Sequence, residues 1–213
     1  MKIKHIIFDW DGTIADTYPV LSAGYEYAFK MIHKPTLSYD EIKKITSTVQ
    51  NKDCLEAIFG NDKDKAKHFF YDFIEKNHTK YLQPIPYAEE VLRFCKQNFN
   101  CYLITNKQRH FLQDELTKLN FHHFFSNIVA AKDFKEDKPS PIATHAIFNN
   151  NIPDSDSILV IGDGIADYQT ARSFDSKNKK TLCVIYDPKN KYNYEKPDYK
   201  ITDLREIITI LQP

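Results

Sequence analysis

Two pairs of aspartates stand directly behind short apolar runs of the sequence. Asp9 and Asp11 follow an Ile-Ile-Phe run, and Asp163 and Asp167 follow Ile-Leu-Val-Ile-Gly. Residues two apart on a strand point to the same side, so Asp9 and Asp11 would share one face. Two carboxylates ~4 Å apart repel by roughly 4 kcal/mol at an effective dielectric of about 20, so four together need a cation. Mg²⁺ is the hard, oxygen-binding ion that suits such a cluster.

Glycine is scarce in this chain and is concentrated beside the aspartates. The chain has 5 glycines in 213 residues, and Gly12, Gly162 and Gly164 adjoin the acids. Glycine lets the backbone turn sharply and approach a ligand closely, as a phosphate site requires. A single aspartate after a strand is ordinarily a helix N-cap, but this grouping favours a site for a metal and a phosphate.

A hydroxyl, an amide and an ammonium group follow at two further points of the chain. Thr105 and Asn106 come after an apolar run that ends at Ile104, and Lys138 precedes Pro139 just before a predicted helix. Taken alone, the first pair is a common turn former and the lysine a common surface charge. At strand ends and helix starts, however, such groups can surround the oxygens of a phosphoryl group. The sequence therefore predicts a phosphoryl-transfer site.

The elements that must position these residues follow the pattern of β-α-β units. Five short β-rich runs predict strands at 4–8, 101–104, 128–130, 158–161 and 181–186. Helical patterns lie at 88–97, 110–119, 141–148, 165–174 and 204–211. This alternation favours a doubly wound, Rossmann-like α/β fold with a parallel sheet. In such sheets the functional groups gather at the carboxyl ends of the strands.

The connection between the first two predicted strands is too long for a simple crossover. From Phe8 to Cys101 the chain takes more than 90 residues, whereas a crossover with its helix needs about 30. The excess contains four helical patterns, near 20–32, 39–46, 52–59 and 63–81, and no convincing strand. We therefore expect an α/β catalytic core of residues 1–16 and 83–213 and an inserted small all-helical domain of residues 17–82. We also expect this insert to act as a lid.

Composition and charge exclude several classes of protein. Lysine plus arginine and aspartate plus glutamate number 29 each, so no overall field would gather nucleic acid or an acidic membrane. No apolar run approaches the ~20 residues that span a bilayer. The four cysteines form no C-x-x-C pair, which favours buried, reduced thiols. We expect a cytoplasmic protein, a monomer or weak dimer, that binds neither nucleic acid nor membrane.

The order of these motifs resembles the haloacid dehalogenase (HAD) superfamily of aspartate-nucleophile hydrolases. The family pattern is D-x-D-G-T, a hydrophobic run ending in Ser or Thr, Lys-Pro, and G-D-x-x-x-D, and this chain matches it at 9–13, 105, 138–139 and 162–167. The helical insert resembles the family's helical cap, and Ile-Thr-Asn-Lys at 104–107 resembles the phosphoglycolate phosphatase branch. Two positions depart from the pattern, because Trp10 replaces an aliphatic residue and Gly164 replaces Thr or Ser.

The resemblance implies a Mg²⁺-dependent phosphatase that hydrolyses a small phosphorylated metabolite through an aspartyl phosphate. Asp9 would attack phosphorus as the nucleophile. Asp11 would give a proton to the leaving alcohol and later take one from water. Mg²⁺ would be held by Asp9, Asp163 and the backbone carbonyl of Asp11, with Asp167 as a further ligand or as support for the ligands.

The remaining motif residues are expected to bind the substrate. Thr105, Asn106 and Lys138 would hold the phosphoryl oxygens, and Lys138 would also offset the surplus of carboxylates. Gly12 and Lys107 complete the set of expected substrate-binding residues. The identity of the substrate stays open, with candidate specificity residues at Tyr18, 46–52, Lys107 and Arg109.

Three other functions compete with the phosphatase. A dehalogenase needs one nucleophilic aspartate and no metal, so Asp11 and Asp163 would be surplus. A phosphomutase of the same fold would keep the acids but should hold both ends of a sugar phosphate, and the loop at 46–52 offers only Lys52 for that purpose. A non-catalytic phosphate-binding or scaffold protein would not need the nucleophile or the acid, and both are present.

Overall fold

The computed structural model describes residues 3–48, 54–191, 193 and 195–212, and it divides the chain into two units. The larger unit comprises residues 1–16 and 83–213, and the smaller comprises residues 17–82. The two ends of the interruption in the larger unit are paired. There β2 (Ala15–Asp16) lies antiparallel to β3 (Gln83–Pro84). None of the helices in the described residues is both long and apolar enough to span a membrane.

A six-stranded sheet forms the centre of the larger unit. Its strands are β1 (His5–Phe8), β4 (Asn100–Gln108), β5 (Asn127–Ala131), β6 (Ile158–Gly162), β7 (Leu182–Tyr186) and β8 (Tyr199–Ile201). All neighbours pair in parallel, in the order β5-β4-β1-β6-β7-β8. Every residue of β6 and β7 is buried, as expected of strands that are covered on both faces. The predicted doubly wound α/β fold is thereby confirmed.

Among the described residues of this unit, four α-helices lie in the connections between these strands and a fifth follows the last strand. They are α5 (Ala88–Asn98), α6 (Arg109–Leu119), α7 (Pro141–Ala146), α8 (Ile165–Ser173) and α9 (Glu206–Leu211). From β1 the chain proceeds to β4 and β5 on one side, and it later returns to β6 and continues to β7 and β8 on the other side. The connections of the adjacent strands β1 and β6 therefore run in opposite directions. Such a switch point opens a crevice at the carboxyl ends of the strands.

Several predicted boundaries were wrong. β4 continues past Ile104 to Gln108, because a register shift against β5 lets the strand continue irregularly through this segment. The helix expected at 141–148 ends at Ala146. Asn149 and Asn150 follow with positive φ, a conformation that asparagine tolerates and that ends helices. The short strands β2, β3 and β8 were not predicted, because two or three residues carry too little alternation to be recognised.

The smaller unit is helical in its described residues. Its helices are α1 (Tyr18–Met31), α2 (Tyr39–Thr48), α3 (Cys54–Phe59) and α4 (Lys63–Tyr81). α4 buries Phe70 and Ile74 on one face, where a Cβ on Gly24 of α1 would lie 2.9 Å from Ile74. The Tyr25 ring of α1 packs against that of Phe70 with centroids 4.6 Å apart. The first residues of the helix predicted at 52–59 lie outside the described residues. The role of this unit as a lid stays a prediction.

Candidate active site

The carboxyl ends of β1 and β6 bring three of the predicted aspartates together. Asp9 follows β1 directly, and its backbone N–H donates to the Ile161 carbonyl of β6 at 2.9 Å. Asp163 and Asp167 follow β6 in the turn and first turn of α8. One carboxylate oxygen from each of Asp9, Asp163 and Asp167 lies within 4.8 Å of the others. The acidic group thus occupies the switch point of the sheet.

Lys138 is the buried cation of this group. Its ammonium contacts Asp9 Oδ1 and donates to Asp167 Oδ1 at 2.7 Å and to the Ile104 carbonyl at 3.3 Å. Burial lowers the pKa of Lys138, but the charges of Asp167 and Asp9 outweigh burial and raise it above its ordinary value. The side chain therefore stays an ammonium at neutral pH. It joins β1, α8 and the loop before α7 through charge-assisted contacts.

Asp9 itself is only 6% exposed. Its Oδ2 accepts a hydrogen bond from Thr13 Oγ1 at 3.3 Å, while Lys138 holds the other oxygen. Burial raises the pKa of the Asp9 carboxyl well above its ordinary value; the Lys138 charge opposes this rise and three neighbouring carboxylates add to it. Both oxygens of Asp9 are thus fixed by the fold.

The donor chemistry fits a divalent, hard cation. Three carboxylates lie close together, and two of them, Asp9 and Asp167, are buried and contact the Lys138 ammonium. Grouping carboxylates in a largely buried place costs free energy unless positive charge compensates it. Oxygen-only ligands select Mg²⁺ or Ca²⁺ over softer metals. Gly12, at a φ of +78°, brings its backbone so close to Asp163 that a Cβ would lie 2.7 Å from Asp163 Oδ2. The cluster and its surrounding backbone therefore fit the expected metal.

Among the described residues, the acidic cluster consists of Asp9, Asp163 and Asp167 and does not include the Asp11 carboxylate. The sequence assigned the backbone carbonyl of Asp11 to the metal, and its side chain to proton transfer. Its side chain is 32% exposed and is held by Lys107 instead, whose Nζ donates to Asp11 Oδ1 at 2.8 Å. The structure therefore separates the carboxylate expected to move protons from those expected to bind metal.

Asp167 is held by its own backbone turn. Its Oδ2 accepts the backbone N–H groups of Asp163 at 3.1 Å and Gly164 at 3.0 Å, while its Oδ1 accepts from Lys138. Asp167 can come this close to the backbone of the turn because the preceding strand, β6, ends in Gly162, which has no side chain. A Cβ on Gly162 would lie 2.0 Å from Asp167 Cγ. With three protein donors on two oxygens, Asp167 fixes Lys138 and the turn that carries Asp163.

Thr105 and Asn106 lie in the irregular end of β4. Thr105 is buried, and its Oγ1 accepts the backbone N–H of Lys107 at 3.1 Å, which leaves its hydroxyl hydrogen to be donated elsewhere. The Asn106 amide donates to the Lys138 carbonyl at 2.9 Å. Asn106 was expected to hold phosphoryl oxygens; in the structure its amide nitrogen supports the backbone of Lys138.

Lys107 joins Asp11 to a glutamate that the sequence analysis missed. The Lys107 ammonium lies 2.9 Å from Glu115 Oε1, and Trp10 Nε1 donates to Glu115 Oε2 at 2.6 Å. The Glu115 side chain is wholly inaccessible to solvent. Burial raises its pKa to about 7; Lys107 opposes this rise and Asp11 adds to it. The unusual Trp10 of the first motif is thus explained by a specific partner.

A helix pattern could have indicated Glu115. On α6 the buried positions are Phe111, Leu112 and Leu116 together with Glu115. An acidic residue at a position that continues an apolar helix face is either misassigned or paired in the interior. Its partner could not be read from the sequence, because Trp10 lies 105 residues away along the chain.

The other candidate specificity residues lie in varied surroundings. The Arg109 guanidinium pairs with Asp133 and also donates to the Ile128 carbonyl at 3.0 Å, so it joins α6 to β5. Tyr18 begins α1 of the helical unit and is 42% exposed. Residues 49–52 and the side chains of 46–48 lie outside the described residues.

The chain matches a known family of enzymes over most of its length. Residues 6–178 match the model of the haloacid dehalogenase-like hydrolases. The chain therefore belongs to the haloacid dehalogenase-like hydrolase family. The resemblance seen in the order of the sequence motifs is thereby confirmed.

Two named relatives and one solved structure are similar to this chain over most of its length. The chain is 29% identical over 219 residues to pyrophosphatase PpaX of Oceanobacillus iheyensis, covering 99% of this chain and 98% of that protein. It is 25% identical over 183 residues to a phosphoglycolate phosphatase of Vibrio cholerae, covering 81% of each. The magnesium-bound crystal structure of YfnB from Bacillus subtilis superposes with a TM-score of 0.80 at 19% identity, covering 100% of both chains. The relatives' names agree with the expected enzyme class.

Proposed function

We propose that this protein is a Mg²⁺-dependent phosphatase that hydrolyses a small phosphate monoester through a phosphoaspartate on Asp9. The observation that carries the proposal is the buried Asp9 carboxylate, held beside Lys138 and Asp163 at the switch point of the sheet. A carboxylate fixed in this way presents a nucleophile and a compensating cation to the same phosphoryl group. The names of the two relatives, a pyrophosphatase and a phosphoglycolate phosphatase, support this reaction class.

In the first step an oxygen of Asp9 attacks phosphorus while the bond from phosphorus to the leaving oxygen breaks. Asp11 gives its proton to that oxygen, so the product leaves as a neutral alcohol. The Thr105 hydroxyl and the Lys138 ammonium donate to the phosphoryl oxygens and stabilise the charge that they carry in the transition state. After this step Asp9 is an aspartyl phosphate, and Asp11 is a carboxylate.

In the second step water attacks the phosphorus of the phosphoaspartate. Asp11 now takes a proton from the attacking water, which restores its protonated form. The bond from phosphorus to the Asp9 oxygen breaks, and inorganic phosphate leaves with the oxygen supplied by water. The enzyme returns to its starting state, and one water has been consumed for each ester.

Mg²⁺, when bound, supplies positive charge that offsets the charges of the carboxylates and of the phosphoryl group. Asp9 and Asp163 would hold it with side-chain oxygens, and Asp11 with its backbone carbonyl. Asp167 keeps Lys138 and the Asp163 turn in place, because its oxygens already accept from three protein donors. Its direct contact with the metal stays a prediction.

The relatives suggest two substrates to test first, phosphoglycolate and pyrophosphate. Both are small anions, but the first releases an alcohol and the second releases phosphate. Purified protein would be incubated with each, and with para-nitrophenyl phosphate, in Mg²⁺ and in excess chelator. We expect phosphate release that needs Mg²⁺ and is lost in Asp9→Asn. Release that persists in chelator, or in Asp9→Asn, would contradict the proposal. The cytoplasmic location and the monomeric or weakly dimeric state stay predictions.

A further inference from the structure

We propose that Glu115 is a positioning residue that holds the Asp11 carboxylate in place through Lys107, and that Trp10 fixes Glu115 in turn. The inference rests on the proposed function, because that function assigns the proton transfers to Asp11. It adds three residues outside the metal cluster to the machinery of the reaction.

The first observation is the isolation of Glu115 from solvent. A carboxylate in the interior is costly unless both of its oxygens are bound. Here the two oxygens are divided between two partners, since Oε1 faces the Lys107 ammonium and Oε2 accepts from the Trp10 indole. Trp10 is itself wholly buried and lies between Asp9 and Asp11 in the chain. Glu115 is therefore tied to the same loop that carries the proposed nucleophile and acid.

The second observation is the bridging geometry of Lys107. Its ammonium lies 2.8 Å from Asp11 Oδ1 and 2.9 Å from Glu115 Oε1. Accessibility increases along this chain of contacts, from Glu115 at 0% through Lys107 at 10% to Asp11 at 32%. A lysine stem is flexible, and one exposed contact alone would not fix it. The buried end thus anchors the ammonium that orients the accessible carboxylate.

The third observation is the balance of charge around Lys107. Two carboxylates share one ammonium, so the single positive charge of Lys107 is divided between them. If the charge of Glu115 is removed, Lys107 loses its anchor and keeps Asp11 as its only partner in this group. The ammonium then moves together with the Asp11 carboxylate and no longer fixes its position. The expected damage is confined to the step in which Asp11 gives its proton to the leaving oxygen.

The experiment compares two aryl esters of similar shape in the Glu115→Gln variant. Phenyl phosphate releases phenol, a weak acid that needs a proton as it leaves, whereas para-nitrophenyl phosphate releases a much better leaving group. The ratio kcat/KM covers the steps up to loss of that group and omits hydrolysis of the phosphoenzyme. We expect kcat/KM for phenyl phosphate to fall by about tenfold or more, and that for para-nitrophenyl phosphate by less than about threefold.

Asp114→Asn is the matched control, because it removes one negative charge from an exposed neighbour on the same helix. We expect both ratios to stay unchanged in this variant. If Glu115→Gln does not fold, as judged by circular dichroism, Trp10→Phe takes its place. This substitution removes the indole N–H donor and one of the two fused rings, and it keeps an aromatic side chain at this position. The same selective loss of kcat/KM for phenyl phosphate is expected, to a smaller extent.

An equal fall for the two esters would overturn the proposal, because a merely structural glutamate would damage both reactions alike. No fall for either ester would overturn it as well. Failure of the proposed function has a different signature, since the unmodified protein would then hydrolyse neither ester in a Mg²⁺-dependent manner. That result is visible before any variant is compared.

Discussion

Gly162 and Gly164 flank Asp163 in one turn. Substitution by alanine should destabilise the protein strongly at position 162 and hardly at all at position 164. A Cβ on Gly162 would lie 2.0 Å from Cγ and 2.3 Å from both Cβ and Oδ2 of Asp167. A Cβ on Gly164 would meet only Asp167 Oδ2, at an ordinary 3.8 Å. Gly162→Ala must therefore displace the Asp167 side chain, whereas Gly164→Ala need not.

The contacts of Asp167 set the size of the effect. Overpacking of a buried site costs about 1–3 kcal/mol. The displaced carboxylate also loses its bonds from Asp163 N, Gly164 N and Lys138 Nζ, and hydrogen bonds to a charged group contribute about 1.5–3 kcal/mol each. Partial relaxation preserves some of them, so we expect Gly162→Ala to lower the free energy of unfolding by at least about 3 kcal/mol.

Chemical denaturation followed by circular dichroism measures this free energy, and Gly164→Ala serves as the control. We expect the control to change stability by less than about 1 kcal/mol, in line with a glycine replaced where the backbone permits it. Activity should fall with Gly162→Ala even under conditions where the protein is folded, because Lys138 loses one of its two carboxylate partners. Equal stabilities of the two variants would mean that a side chain at position 162 does not displace Asp167.

Three further predictions concern the metal, the phosphoryl group and the thiols. Asp163→Asn should raise the Mg²⁺ concentration for half-maximal activity by about tenfold or more, since it deletes a charged ligand; an unchanged metal titration would point to another ligand. Thr105→Val should lower kcat by roughly a hundredfold through loss of one donor, and a full rate would remove its hydroxyl from the site. Burial raises the pKa of the Cys101 and Cys183 thiols to about 12, and it also raises the pKa of the Cys95 thiol above its ordinary value. These thiols stay protonated in the folded state where unfolded ones ionise, so stability should fall as the pH rises above the ordinary thiol pKa of about 9. A thiol reagent at neutral pH should leave Cys95, Cys101 and Cys183 unmodified before unfolding and should modify them afterwards; early reaction of these three would contradict their burial.

Much of the fold could be predicted because its signals are local. The strands at the centre of the sheet are continuous apolar runs, and the acids follow them directly in sequence. Parallel pairing then places Asp9 and Asp163 at one edge, since both follow neighbouring strands at their carboxyl ends. The grouping of these acids thus required no knowledge of distant side chains.

The contacts between side chains could not be predicted in the same way. Lys107 was expected to bind substrate, and the structure places its ammonium between Asp11 and Glu115. Asp11 lies in the loop after β1 and Glu115 lies on α6, so these two partners come together only in the folded chain. A lysine near a phosphate motif carries no local signal that separates a ligand contact from an ion pair with the protein.

The most direct test of the proposed mechanism is to trap the covalent intermediate and find which residue carries it. Asp11→Asn should slow hydrolysis of the phosphoenzyme, because water then lacks its base, while an activated aryl phosphate still phosphorylates the protein. Rapid acid quenching followed by peptide mass spectrometry would locate the added phosphate. One acid-stable, hydroxylamine-sensitive phosphate is expected on Asp9, and it should be absent from the Asp9→Asn, Asp11→Asn double variant. Phosphate on a different residue, or ester hydrolysis with no phosphorylated protein at any time in the Asp11→Asn variant, would contradict the mechanism.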